Sequence, residues 1–286
     1  MKTDNVFEIG SITKQFTAIA IMLLEEEGKL KTEDKISTYI SDYPNGEQIS
    51  IHHLLTHTSG IKDFTRVKGL GEIATKELSS AEMLDFFKNE PANFAPGEQF
   101  EYCNAGYIIL GHIIEVASGK TYAEFIEENT FKPLKMENSF YCTHRKVIPN
   151  RASGYNKKGE DYYNSRYISY SIPFSSGSLM STVDDLFKWQ KGLKEHTILS
   201  EKSSEKVFTN YQLNNGEPIE YGYGWHIKER NGVKVYEHGG SIFGFKSMGV
   251  YMPEADIYVI SLTNCDCNSP TQTTRDISDL VGSALQ

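Results

Sequence analysis

Three short segments of the 286-residue sequence hold residue types suited to acyl-transfer chemistry. In Ser11-Ile-Thr-Lys14 a hydroxyl and an amine stand three residues apart, which puts them on one face of a helix. A serine there gains from the helix dipole as negative charge develops on its oxygen. A lysine that loses solvent or meets another cation can shed its proton and act as a base. The same spacing recurs at Ser59 to Lys62 and Ser203 to Lys206, but only the Ser11 copy opens an apolar run. Taken alone, Ser11 also reads as an ordinary helix cap. The second segment is Tyr102-Cys-Asn104, just before a helix, where a phenol and an amide can face one cleft. The phenol can shuttle a proton if a nearby cation lowers its pKa. Tyr-x-Asn also occurs at Tyr43 and Tyr162, so its context sets the Tyr102 copy apart. The third is His238-Gly239-Gly240-Ser241, whose glycines allow close backbone approach and leave strand N–H groups available to a ligand. Its plainer readings are a satisfied strand histidine and a bulge.

Positioning these groups requires elements that the sequence outlines. Ser11 to Glu27 reads as a helix that is apolar on nearly every face and stops at Gly28, so it is expected to run through the core. Further helices are expected at Ser80 to Lys88, Asn104 to Ser118, Tyr122 to Phe131, Thr182 to Leu193 and Thr274 to Leu285. Asn93 to Gln99 and Ser153 to Ser165 read as turn-rich connections. Tyr221 to Glu229, Val233 to His238, Gly244 to Tyr251 and Ile257 to Thr263 alternate as antiparallel strands do, with Asn231-Gly232 as a hairpin turn. The expected fold is α+β, an antiparallel sheet flanked by helices with a mainly helical second lobe. Residues 1–28 and 218–286 would form the sheet-bearing lobe and 29–217 the helical one, with the site between them.

Composition narrows the function. The formal charge of −9 disfavours a nucleic acid partner. The longest apolar run, Ala18 to Leu24, is too short to span a bilayer. Met1 to Gly10 contains no apolar signal-peptide core. The four cysteines do not make a disulfide framework; Cys265 and Cys267, two apart, are expected to be unpaired thiols. His53 and His57 have helical metal-ligand spacing, but Leu54 stands where a catalytic Glu is needed, so a packed segment is the preferred reading. Gly69 to Ala74 matches a dinucleotide fingerprint only loosely, with no βαβ unit around it, and no Gly-x-Ser-x-Gly elbow is present.

In order and context these segments resemble the serine β-lactamase and penicillin-binding hydrolase superfamily, on the branch of class C β-lactamases, D,D-carboxypeptidases and related esterases. Phe7 to Lys14 resembles the first motif of that family, and Leu54-Leu-Thr-His-Thr-Ser-Gly60 a segment typical of it. Pro96-Gly-Glu, Tyr102 to Asn104, Ser176-Gly177-Ser178 and Gly222-Tyr-Gly-Trp225 match as well, and His238-Gly239-Gly240 stands where β-lactamases carry Lys-Thr-Gly. The resemblance runs from about Val6 to Asn264. It implies Ser11 as acylated nucleophile, Lys14 as its base, Tyr102 as proton carrier, Asn104 on the acyl side of the substrate and His238 on the opposite wall. The backbone N–H groups of Ser11 and Ser241 would form an oxyanion hole, beside Gly239 and Gly240. It implies no metal, no organic cofactor, a small-molecule or peptide substrate and an extracytoplasmic setting. Family members usually carry two strands and a helix before the first motif. Only ten residues precede Ser11 here, so an uncovered sheet edge and self-association through it are expected. A neutral histidine at position 238 points away from β-lactams and towards esters or peptide-like amides. A β-lactamase, a non-catalytic scaffold retaining the fold, and a Ser-His-Asp triad using His238 are the competing readings.

Overall fold

The computed structural model describes residues 1–284. Strand β1 (Phe7–Glu8) leads through a tight 3-10 turn, Gly10–Ile12, into α1 (Thr13–Glu26). Short helices α2 (Ile51–Leu55), α3 (Leu70–Ile73) and α4 (Ser80–Phe87) precede α5 (Asn104–Ser118) and α6 (Tyr122–Ile126). Strand β2 (Phe140–Tyr141) and the hairpin β3 (Tyr155–Lys158) and β4 (Asp161–Asn164) follow, then α7 (Phe174–Gly177), β5 (Leu179–Ser181), α8 (Val183–Lys194) and α9 (Glu201–Val207). The chain ends in β6 (His226–Arg230), β7 (Val233–Ile242), β8 (Phe245–Met252), β9 (Ile257–Thr263) and α10 (Thr271–Ala284).

The α+β class expected from the sequence is the one observed. Strands β6 to β9 form one antiparallel sheet in sequential order. Helix α10 lies on one face, where Thr274, Ser278 and Gly282 are buried. These small residues allow close approach: a Cβ on Gly282 would lie 2.7 Å from Met252 Cε. Arg275 of α10 also pairs with the buried Glu237 of β7. The other face meets the main core, where Phe16 of α1 stacks on Trp189 of α8 with centroids 3.9 Å apart. Truncating such a buried aromatic costs about 3–5 kcal/mol. Strand β9 pairs only with β8 among the described residues.

Several boundaries differ from expectation, each for a local reason. Helix α1 begins at Thr13 instead of Ser11, because Gly10 has φ +52° and packs against Ser241, tightening the first turn. The strand expected from Tyr221 starts only at His226, since Tyr221 to Trp225 turns over α1. A Cβ on Gly224 would lie 3.0 Å from Lys14 O. The segment from Tyr122 is α-helical only to Ile126 and continues as a π-turn, Glu127–Phe131. Ser153 to Ser165 holds the β3–β4 hairpin, whose fully exposed β4 buries no apolar face that could show in the sequence pattern. The closing helix starts at Thr271, one turn before the expected Thr274, and Leu285 lies outside the described residues. Cys265 and Cys267 form a disulfide, not two thiols. The chain bends after β9 and brings their Cα atoms to 5.1 Å, within reach of a bridge. Cys103 and Cys142 are free and buried.

Candidate active site

Helix α1 carries Lys14 into the core with no exposed surface. An ammonium there would be unstable without partners. It has three: Lys14 Nζ donates to Ser11 Oγ at 3.1 Å, to Asn104 Oδ1 at 2.8 Å and to Ser176 O at 2.8 Å. It also lies 4.9 Å from the centroid of the Tyr102 ring. Loss of solvent brings the Lys14 pKa down to about 7, against an opposing pull from the Asp63 carboxylate. At neutral pH a substantial share of Lys14 is therefore a free amine. Ser11 sits in the 3-10 turn, and its side chain makes no capping bond to the helix.

Asn104 opens α5, yet the preceding Cys103 cannot cap a helix and makes no such bond. Asp63 takes that part from another segment. Its Oδ2 accepts the Asn104 backbone N–H at 2.5 Å and the Asn104 side-chain amide at 3.0 Å. Its Oδ1 accepts from Thr65 N and Oγ1. The carboxylate thereby fixes the amide orientation that offers Oδ1 to Lys14. The Tyr102 hydroxyl is buried, near Ser11, and has no regular hydrogen-bond partner among the described residues. Burial raises its pKa above the usual phenol value, with Ser11 only partly offsetting this. This corrects the expectation of a phenol acidified by a cation: the Tyr102 phenol stays protonated, because desolvation outweighs its surroundings.

Strand β7 forms the opposite wall. Pairing with β6 ends at Glu237, leaving His238–Ile242 paired on the β8 side only. The free edge lies against the turn that carries Ser11. A Cβ on Gly240 would come within 2.0 Å of Ile9 O, and one on Gly10 within 2.7 Å of Ser241 N. Ser247 Oγ donates to Ile9 O at 2.8 Å and ties β8 to the same turn. His238 is buried, its Nε2 lies 3.1 Å from Tyr221 Oη, and its Nδ1 lies 2.6 Å from Gly239 O. Burial first, then His226 and Lys14, push its pKa well below the ordinary value, so the ring is neutral.

Two arms of the cleft meet at Ser11 and Ser241. One, of about 410 Å³, includes Asn104, Ser176 and Gly177 with apolar walls from Phe64 and Ile172. The other, of about 360 Å³, includes Tyr102, His238, Gly239 and Gly240. Seven of the eight residues singled out in the sequence thus border one cleft, and the eighth, Lys14, lies buried behind it in hydrogen-bond contact with Ser11 and Asn104. Sequence reasoning missed Asp63 and the part played by His57. A helix start at Asn104 with no capping residue before it was the available signal for an outside acceptor. His53 and His57 do not converge: His53 caps α2, whereas His57 Nδ1 accepts from Cys103 N.

Comparison with known proteins agrees with this architecture. The family described as Beta-lactamase matches residues 1–282. The chain is 33% identical over 280 residues to penicillin-binding protein 4* of Bacillus subtilis (strain 168), which covers 92% of this chain but only 62% of that relative. The crystal structure of a penicillin-binding protein from Bacillus halodurans is similar with TM-score 0.84 at 29% identity, over 99% of this chain and 86% of that one. A D-amino acid amidase from Ochrobactrum anthropi SV3, complexed with L-phenylalanine amide, is similar with TM-score 0.85 at 26% identity, over 100% and 85%. This chain belongs to the Beta-lactamase family, within the superfamily of serine β-lactamases and penicillin-binding proteins.

Proposed function

We propose that this protein is a serine hydrolase that forms an acyl-enzyme at Ser11, with a small ester or a D-amino-acid peptide as substrate. The observation that carries this reading is the buried Lys14 amine, 3.1 Å from Ser11 Oγ with its pKa near 7. Neutral Lys14 takes the Ser11 proton as Oγ bonds to the carbonyl carbon. The resulting oxyanion lies between the N–H groups of Ser11 and Ser241, each donor contributing roughly 3–4 kcal/mol in comparable hydrolases. Collapse breaks the bond to the leaving group, which takes a proton from Tyr102, and the Lys14 ammonium restores that proton. Water then attacks the ester, its proton passing to the basic pair, and Ser11 is released with the acid product. The cleft in this reading lies between residues 1–28 with 218–286 and residues 29–217.

The peptide-type substrate draws support from the relatives, one named a penicillin-binding protein and one a D-amino acid amidase. The neutral, buried His238 supplies no fixed charge for a β-lactam carboxylate, which favours esters and peptides over penicillins. Hydrolysis of p-nitrophenyl butyrate by the wild-type chain and by Ser11→Ala tests the proposal. A sustained rate that disappears in the variant is expected. An equal rate in both would move the nucleophile elsewhere, and no rate in either would favour a scaffold.

A further inference from the structure

The two arms of the cleft carry opposite charges. In the arm with Asn104, Asp266 is the one ionisable residue among apolar walls that include Leu70, Ile168 and Phe243. Asp266 is held in place: its N–H donates to Tyr155 O at 3.1 Å, and disulfide-bonded Cys265 and Cys267 flank it. With its amide turned to donate, Asn156 lies 2.6 and 2.7 Å from the two carboxylate oxygens, so the partner is neutral and the charge is not cancelled. In the arm with Tyr102, Lys246 is the one lysine or arginine. His226, held down to about 4, and His238 are both neutral there by burial. Lys246 stands beside Ser241 in the β7–β8 register, and the hydroxyl residues Ser269 and Thr271 share its arm. Neither Asp266 nor Lys246 forms an ion pair among the described residues.

We infer that this polarity selects the substrate: Asp266 receives a free ammonium on the acyl side, and Lys246 receives a carboxylate on the leaving-group side. The preferred substrate is then a short peptide with a free amino terminus, an apolar first side chain and a free carboxyl terminus. Lys246 takes over, from the neighbouring strand, the fixed charge that His238 does not provide. The assignment of the arms rests on the acyl-enzyme reading above.

The test compares kcat/KM of the full chain on D-Phe–D-Ala, its N-acetyl derivative and its C-terminal amide, with p-nitrophenyl butyrate run in parallel. Each blocked form should be poorer by about 10- to 100-fold, the size of one charged hydrogen bond. Asp266→Asn should abolish only the discrimination against N-acetylation, and Lys246→Met only that against the amide. Equal rates on free and blocked peptides, or ester turnover with no cleavage of the free dipeptide, overturn this inference while leaving the serine hydrolase reading intact. Loss of all turnover, the ester included, overturns both. Because the wild-type comparison needs no variant, a misfolded variant does not decide the outcome.

Discussion

His57 grips Tyr102 from three sides. Its ring lies against the phenol with centroids 4.3 Å apart, its carbonyl accepts from Glu101 N at 3.0 Å, and its Nδ1 accepts from Cys103 N at 3.0 Å. The backbone on both sides of Tyr102 is thus pinned to one residue. Burial first, then the nearby Lys14, push its pKa well below the ordinary value, so the imidazole is neutral, as its acceptor role requires. His57 itself has φ +59°, a conformation in which asparagine is among the better-tolerated residues.

His57 is therefore a positioning residue, and the shape of its acceptor can be separated from its ring. His57→Phe keeps the stacking but loses Nδ1, and kcat on p-nitrophenyl butyrate should fall by roughly 10- to 100-fold, as for a donor displaced by about 1 Å. KM should change little. His57→Asn, which restores an acceptor at the δ position, should recover part of the loss. A fall in KM-weighted binding with unchanged kcat would contradict this role.

The acid limb of the pH profile should report Lys14. Its pKa falls from an ordinary lysine value to about 7 because burial disfavours the ammonium, and only the free amine can accept the Ser11 proton. Activity should accordingly rise with pH through about 7 and be lost below it. Lys14→Ala should remove nearly all turnover at every pH. A Ser-His-Asp triad would survive that substitution, and a limb unchanged in the variant would identify the wrong base.

Asp63 raises the Lys14 pKa, so removing its charge has a defined sign. In Asp63→Asn the limb should move to lower pH. Turnover at the plateau should nevertheless fall, because a donor amide now faces the Asn104 side chain that Asp63 held at 3.0 Å. A limb that does not move would show that Asp63 acts only through geometry. Rate and pKa are read from one set of profiles.

How much of this was legible in the sequence depended on whether the cause was local. Asn104–Ser118 was recovered at both ends, because an apolar run terminates at Gly119 in a left-handed cap. Ile257–Thr263 was recovered too, from its β-branched and aromatic residues. The start of α1 was displaced because Gly10 is bent by contact with Ser241, over two hundred residues away in the chain. Asp63 was invisible for the same reason: it caps a helix that begins 41 positions later. The Cys265–Cys267 bridge depends on a bend after β9 that no residue spacing discloses. The depressed Lys14 pKa was anticipated from the apolar helix around it. The elevated Tyr102 pKa was not, because burial of a loop residue comes from packing of other elements upon it.

The fit between Gly240 and the turn bearing Ser11 gives the last prediction. A methyl group at position 240 would meet Ile9 O at 2.0 Å, and that carbonyl cannot rotate away because it belongs to the backbone and accepts Ser247 Oγ at 2.8 Å. In Gly240→Ala the free edge of β7 must therefore withdraw from β1 and the 3-10 turn. Withdrawal separates Ser241 N–H from Ser11 N–H, the two donors that the proposed mechanism assigns to one oxyanion. Loss of a single such donor costs roughly 10²–10³ in kcat, and overpacking adds about 1–3 kcal/mol of instability. Gly239→Ala is the internal control, since a Cβ there meets only Met248 Sδ and Ser247 O at 3.5 Å, ordinary contact distances. Kinetics on p-nitrophenyl butyrate and thermal melts of both variants should show kcat and Tm falling sharply for Gly240→Ala and far less for Gly239→Ala. Equal effects of the two substitutions would mean that β7 approaches the turn bearing Ser11 more loosely than its contact with Ile9 requires.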